Sequence, residues 1–139
     1  MSIFLEKITM KQPMHTIAAL ALSLFTGCAL ATPRQLITHN LTDVESNAFV
    51  AGTIPSQHPT HPHSDGKVFW TAVKMACFGH ITDGKCSALI KMATNTSNMI
   101  ELGYVSIDMA TGEITPKYIH ANGYSVTVNG PAECTLNQD

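Results

Sequence analysis

Apolar residues follow three different rhythms along this chain. Residues 17–25 (IAALALSLF) form an uncharged apolar core, too short to cross a bilayer, which takes about 20 residues in a helix. Between 43 and 51, Val44, Ala48 and Ala51 recur at helical spacing. After Gly66 the period shortens to two, and β-branched and aromatic residues alternate with polar ones.

The period-two region divides at turn-forming residues. Segments 67–78 (KVFWTAVKMACF), 86–93 (CSALIKMA), 100–108 (IELGYVSID), 113–120 (EITPKYIH) and 124–129 (YSVTVN) are separated by DG, NTSN, MATG and ANG, which read as strands joined by short turns. Pro116 makes the fourth an edge strand or a bulge, and a last strand is possible around Cys134. The first strand also fits a helical period through Phe69, Val73 and Ala76, but its β-branched and aromatic content favours a strand.

Upstream, Thr42-Asp43-Val44-Glu45 has the form of a capping box and Gly52 is a stop, so the pattern predicts one helix over 43–51. Residues 53–66 (TIPSQHPTHPHSDG) contain three prolines and read as a linker that can be neither a regular helix nor a central strand. The expected architecture is mainly β: a single small domain, with an antiparallel meander sheet or small sandwich of about five to six strands and one short N-terminal helix covering a face. The expected division is a signal peptide over 1–31, an N-terminal arm, short helix and His/Pro-rich linker over 32–66, and an antiparallel β domain over 67–139.

The apolar block explains the first segment. Small residues follow it, and Ala29-Leu30-Ala31 has the A-x-A form of a signal-peptidase site, which would release a chain beginning at Thr32. Phe25-Thr26-Gly27-Cys28 has the form of a lipobox with Phe where Leu is usual, and would instead anchor the protein through a lipid on Cys28. Either route exports the chain, to the periplasm or beyond.

Charge narrows the partners. Residues 32–139 carry six Lys/Arg against nine Asp/Glu, a net charge of −3, and such a balance does not attract nucleic acid or anionic lipid, which need clustered cations. No further stretch of transmembrane length follows the leader. Cys77, Cys86 and Cys134 remain after its removal, and export places them where disulfides form. Cys77 with Cys86 is the expected pair. A two-residue turn at Asp83-Gly84 argues against it, because that turn sets Ile81 opposite Cys86, whereas a longer loop restores it. Cys134 is then free, buried or available to a dimer.

Candidate chemistry lies in two groups. His58, His61, His63 and Asp65 fall within eight residues of the linker, and neutral imidazole with a carboxylate can hold Zn, Cu, Ni or heme iron; the spacing matches no closed zinc site, and an exposed polar linker explains the same residues. Tyr118 and His120 project from one face of a strand, with Tyr124 just across the Asn122-Gly123 turn, and Tyr and His both serve as axial heme ligands. Half-buried sheet aromatics explain these equally. There is no G-x-S-x-G, H-E-x-x-H, phosphate loop or C-x-x-C, so no enzyme is expected.

The segment LGYVSIDMATGEITPKYIHANGYSVTVNGPAECTL, with its framework GEI..P....NGY.V.V.GP, resembles a group of small exported proteins of intracellular Gram-negative bacteria, some of them labelled hemin-binding, that share a domain of unknown function. The resemblance spans residues 66–136 at most. It implies export, a strand-and-turn framework and hemin as a ligand, and it fixes no ligand residue. The expected function is secreted, non-enzymatic capture of a ligand, hemin or a divalent transition metal. The alternative is a secreted protein-interaction or virulence-associated factor with no small-molecule ligand.

Overall fold

The computed structural model describes residues 31–139; the leader and both processing sites fall on residues 1–30, with Ala31 at their border, and so lie outside the described part. Among the described residues the chain runs β1 (Gln35–Asn40), β2 (Ser46–Val50), β3 (Ile54–Pro55), β4 (Ser64–Phe69), α1 (Trp70–Cys77), β5 (Ile81–Thr82), β6 (Lys85–Met92), β7 (Ile100–Asp108), β8 (Ile114–Thr115), β9 (Tyr118–Ala121), β10 (Tyr124–Gly130) and β11 (Glu133–Gln138). The fold is mainly β, as the alternation predicts, and it takes the sandwich form. One sheet has the order β4-β1-β11-β10-β9 and the other β3-β2-β6-β7-β8, with β5 also paired to β6. All pairs are antiparallel except β1 with β11, so the fold is more than a meander.

The expected helix over 43–51 is a strand. Asn40, fully buried, donates through its amide nitrogen to the carbonyls of Val44, Thr60 and His61 and accepts from the backbone N–H and hydroxyl of Thr42. These bonds hold 40–44 as a tight turn, and what looks like a capping box is the entry to β2. Ser46–Val50 then alternates, with Ala48 facing the other sheet and Phe49 packed on the outer side against Leu89 and Pro55.

The one helix lies instead at the second half of the first predicted strand. Extended backbone persists through Phe69, and α1 begins at Trp70 without a side-chain cap. Trp70, Val73 and Cys77 are buried along one face, the 3.6-residue period that competes with alternation in KVFWTAVKMACF. The predicted linker is likewise part of the fold: Ile54–Pro55 adds an edge to β2, and Ser46 and Thr60 exchange backbone hydrogen bonds of 3.0 and 2.8 Å. With β1 seated between β4 and β11, the 32–66 arm and the 67–139 region are one sandwich.

Predicted strands 86–93, 100–108 and 124–129 are β6, β7 and β10 within a residue at each end. The segment with Pro116 is broken there into β8, on one sheet, and β9, on the other. β11 is the strand foreseen around Cys134. The sheets approach closely at Gly103, where a Cβ would sit 3.0 Å from the Ile119 side chain.

Candidate functional site

Apolar residues fill the space between the sheets in two separate clusters. One gathers Trp70, Val73 and Cys77 of α1 with Val50, Ile107 and Ile114; the other gathers Ile90, Met92, Tyr124, Val126, Cys134 and Leu136. Between them lies a cavity of about 150 Å³, lined by members of both clusters and by the inward residues of α1. Small side chains make the room. Ala48, Ala72, Ala76, Ala88 and Gly66 line it where larger residues would fill it. Leu36, Ala88 and Val105 on interior strands and Val68 on the edge strand β4 line the cavity, yet they remain only half-buried. The cavity is therefore open to solvent.

Apolar cavities of this size accept benzene-sized molecules.

One side of the cavity is polar. Asn47, Ser56, His58 and Thr60 line it there. Asn47 donates to the Ser56 carbonyl at 2.9 Å and accepts from its hydroxyl at 2.7 Å, while Ser56 Oγ accepts the His58 N–H at 3.0 Å. The proline-rich segment is thus pinned to β2 at the rim, with the exposed His58 beside it.

Cys134 contributes to the wall. Its sulfur lies 4.0 Å from the Thr38 hydroxyl, and burial pushes the thiol up from its ordinary pKa. The other two cysteines are bridged, Cys77 to Cys86. The turn argument against this pair is correct about the ladder but not about the bridge. Asp83 and Gly84 form a two-residue turn with φ of 54° and 75°, and Ile81 is paired with Cys86. Cys77 reaches Cys86 from the end of α1, above the sheet, so no longer loop is needed.

Of the first predicted group, only His58 reaches the cavity. His61 Nδ1 lies 4.0 Å from Glu45, His63 Nε2 is 2.6 Å from Asp43, and Asp65 is 2.8 Å from Nδ1 of His39. His61 and His63 thus face different carboxylates. Nor does the second group form a set. Tyr124 is paired with Ala121 across the hairpin and Ser125 with His120, so Tyr124 points inward while Tyr118 and His120 point outward. Tyr124 is buried, Tyr118 is exposed, and His120 Nε2 meets the Asp139 carboxylate at 2.9 Å. Among the described residues no three His, Cys, Asp or Glu side chains converge as metal ligands.

Sequence reasoning missed the His39 cluster. On the outer surface of β4, β1 and β11, His39 Nδ1 faces Asp65 at 2.8 Å and Nε2 faces Glu133 at 2.6 Å. The Glu133 carboxylate first, and Asp65 second, raise the pKa of this histidine. Asp65 is its direct neighbour in the β1–β4 register, but that pairing joins residues 26 positions apart, beyond the reach of a local pattern.

Among the described residues no helix is long and apolar enough to cross a membrane. Residues 10–139 match a family model described as NttC, a type II secretion system substrate. The crystal structure of the Legionella pneumophila type II secretion system substrate NttC is similar to this chain, with 53% sequence identity and a TM-score of 0.76, over 77% of this chain and 99% of that one. No curated protein matches the chain.

Proposed function

This chain belongs to the NttC family of type II secretion substrates, and from that premise we propose a secreted, non-enzymatic capture protein that holds a small apolar molecule between its sheets. Secretion itself follows from the family. The observation that carries the rest is the solvent-open, alanine-lined cavity of about 150 Å³ between two halves of the core. Its chemistry favours hydrocarbon, either a small ring or the end of an alkyl chain, with the Asn47, Ser56 and His58 rim available to a single polar group.

The absence of catalysis is also our reading. A nucleophilic cysteine requires a lowered pKa and an adjacent base. Burial moves Cys134 in the opposite direction, and its sulfur meets the Thr38 hydroxyl rather than a base.

Capture of hemin or a transition metal is the finer reading that the histidine tract and the family resemblance raise. It has less support in the geometry. The imidazoles are directed at separate carboxylates, and a cavity of about 150 Å³ falls below the range of about 300–1,000 Å³ that houses drug-sized ligands.

Native mass spectrometry of the protein recovered from culture medium, followed by titration with hemin, separates these readings. We expect an adduct of small organic mass that denaturation releases, and no saturable Soret shift. A shift that saturates at one equivalent of hemin would transfer the ligand to the porphyrin class. A chain with neither an adduct nor a shift would favour a protein-interaction role.

A further inference from the structure

We propose that the molecule held between the sheets carries a single uncharged oxygen, a hydroxyl or a carbonyl, and that the Thr60 hydroxyl is its hydrogen-bonding partner. The proposal rests on the ligand-capture reading and narrows its ligand class. The backbone of Thr60 is fully engaged: it exchanges hydrogen bonds with Ser46, and its carbonyl also accepts from the Asn40 amide at 3.2 Å. The side chain is thereby fixed in place. Gly66 shows where it goes. In β4, Gly66 lies two residues from Val68 and shares its inward face, and a Cβ on Gly66 would lie 2.5 Å from Thr60 Oγ1. The hydroxyl occupies the space that a β4 side chain would fill, on the cavity side.

Thr60 is only 7% exposed, and its hydroxyl makes no hydrogen bond among the described residues. A buried hydroxyl without a partner is destabilising, and its proton is available to a guest. The other polar groups on this side are already used. Asn47 and Ser56 bond to each other, Ser56 Oγ also accepts the His58 N–H, and Ser46 Oγ donates to the Lys91 carbonyl at 3.1 Å. Thr38, paired with Gly66 in the β1–β4 register, accepts from the Cys134 thiol and leaves its own O–H as a second donor on the same wall. Charge fixes the class. Among the described residues no Lys, Arg, Asp or Glu lines the cavity, so a carboxylate or ammonium drawn inside would lie unpaired among alkyl groups, which is strongly unfavourable. A neutral oxygen meets Thr60, and the alkyl remainder meets Ala48, Ala88 and Val105.

The test uses cyclohexane, cyclohexanol and cyclohexanone, nearly equal in size, titrated into the disulfide-intact secreted protein and followed by methyl NMR at Val126 and Leu136. Comparing parent with Thr60→Val for each ligand cancels the differences in ligand hydration. Thr60→Val should weaken the oxygenated ligand about fivefold, which converts to the roughly 1 kcal/mol of one net hydrogen bond. Cyclohexane should bind the more apolar variant at least as tightly, and Thr60→Ser should restore the parental pattern. A loss with the ketone means that Thr60 donates; a loss with the alcohol alone means that it accepts. The melting midpoint of unliganded Thr60→Val should equal or exceed the parent's, because an unpartnered hydroxyl is removed. A lower midpoint, or a variant that does not fold, would show that the hydroxyl is already bonded within the fold and would overturn the proposal. So would equal affinity of parent and Thr60→Val for both oxygenated ligands with cyclohexane still bound, a result that leaves capture itself intact. No binding of any of the three to the parent would remove the capture reading and this proposal together.

Discussion

Cys77 and Cys86 are joined across a Cα separation of 6.0 Å, although Ile81, not Cys77, is the ladder partner of Cys86. The bridge fastens the C-terminal end of α1 to β6, and α1 forms one wall of the cavity. The residues it joins are nine apart, and chain-entropy reasoning gives about 2–3 kcal/mol for closing so short a loop. Cys77→Ser/Cys86→Ser is expected to lose that amount in urea unfolding, with α1 amides exchanging faster than those of β6 and β7. Equal exchange in the three elements would show that the bridge does not hold the helix.

His39 supplies a pH dependence of known sign. Its two ring nitrogens face two carboxylates, and only the imidazolium can donate to both. The folded pKa is raised, so the stabilisation is complete below the unfolded value of about 6.5 and disappears as pH rises through the folded value. The melting midpoint of His39→Ala should therefore fall below that of the parent at pH 5.5 and approach it at pH 8.5. A gap that is constant with pH would count against the arrangement.

The strands that the sequence reveals are those whose signals are local. β6, β7 and β10 are rich in apolar and β-branched residues and are set off by turns such as Asp83-Gly84 and Asn122-Gly123, where positive φ is required. β2 is hidden because Thr42 and Glu45 mimic a helix start, while the decisive partner, the Asn40 side chain, organises the turn through carbonyls as distant as His61. α1 is hidden because the extended residues Lys67, Val68 and Phe69 run directly into it within the one segment 67–78. The cavity has no local signature at all, since Leu36, Val68, Ala88, Val105 and Val126 come together only when both sheets form. The histidine tract is conspicuous in sequence, yet the fold directs its members apart.

That dispersion has a direct consequence. His58→Ala/His61→Ala/His63→Ala removes three exposed side chains, and exposed pairs contribute little to stability. The melting midpoint is expected to stay unchanged, and any Ni²⁺ or Cu²⁺ affinity should fall without affecting apolar probes. Loss of apolar binding in this variant would mean that His58 holds the ligand's polar end.

Cys134 reports on the cavity from its wall. Its thiol is buried and its pKa is raised, so little thiolate is present at pH 8. Iodoacetamide is expected to modify it slowly in the folded protein and rapidly in urea, as followed by intact mass. Fast modification under native conditions would show that the cavity wall opens.

Binding of a small apolar probe to the parent and to Ala88→Ile tests the central claim most directly. Ala88 lies on β6 between Val50 and Val105 and faces the cavity; a larger β-branched side chain there occupies the void and suits a strand. Benzene titration followed by methyl NMR should give saturable shifts at Ile90, Val126 and Leu136 in the parent and none in Ala88→Ile, while the variant gains about 0.5–2 kcal/mol in stability. Equal shifts in both proteins, or none in the parent, would contradict ligand capture between the sheets.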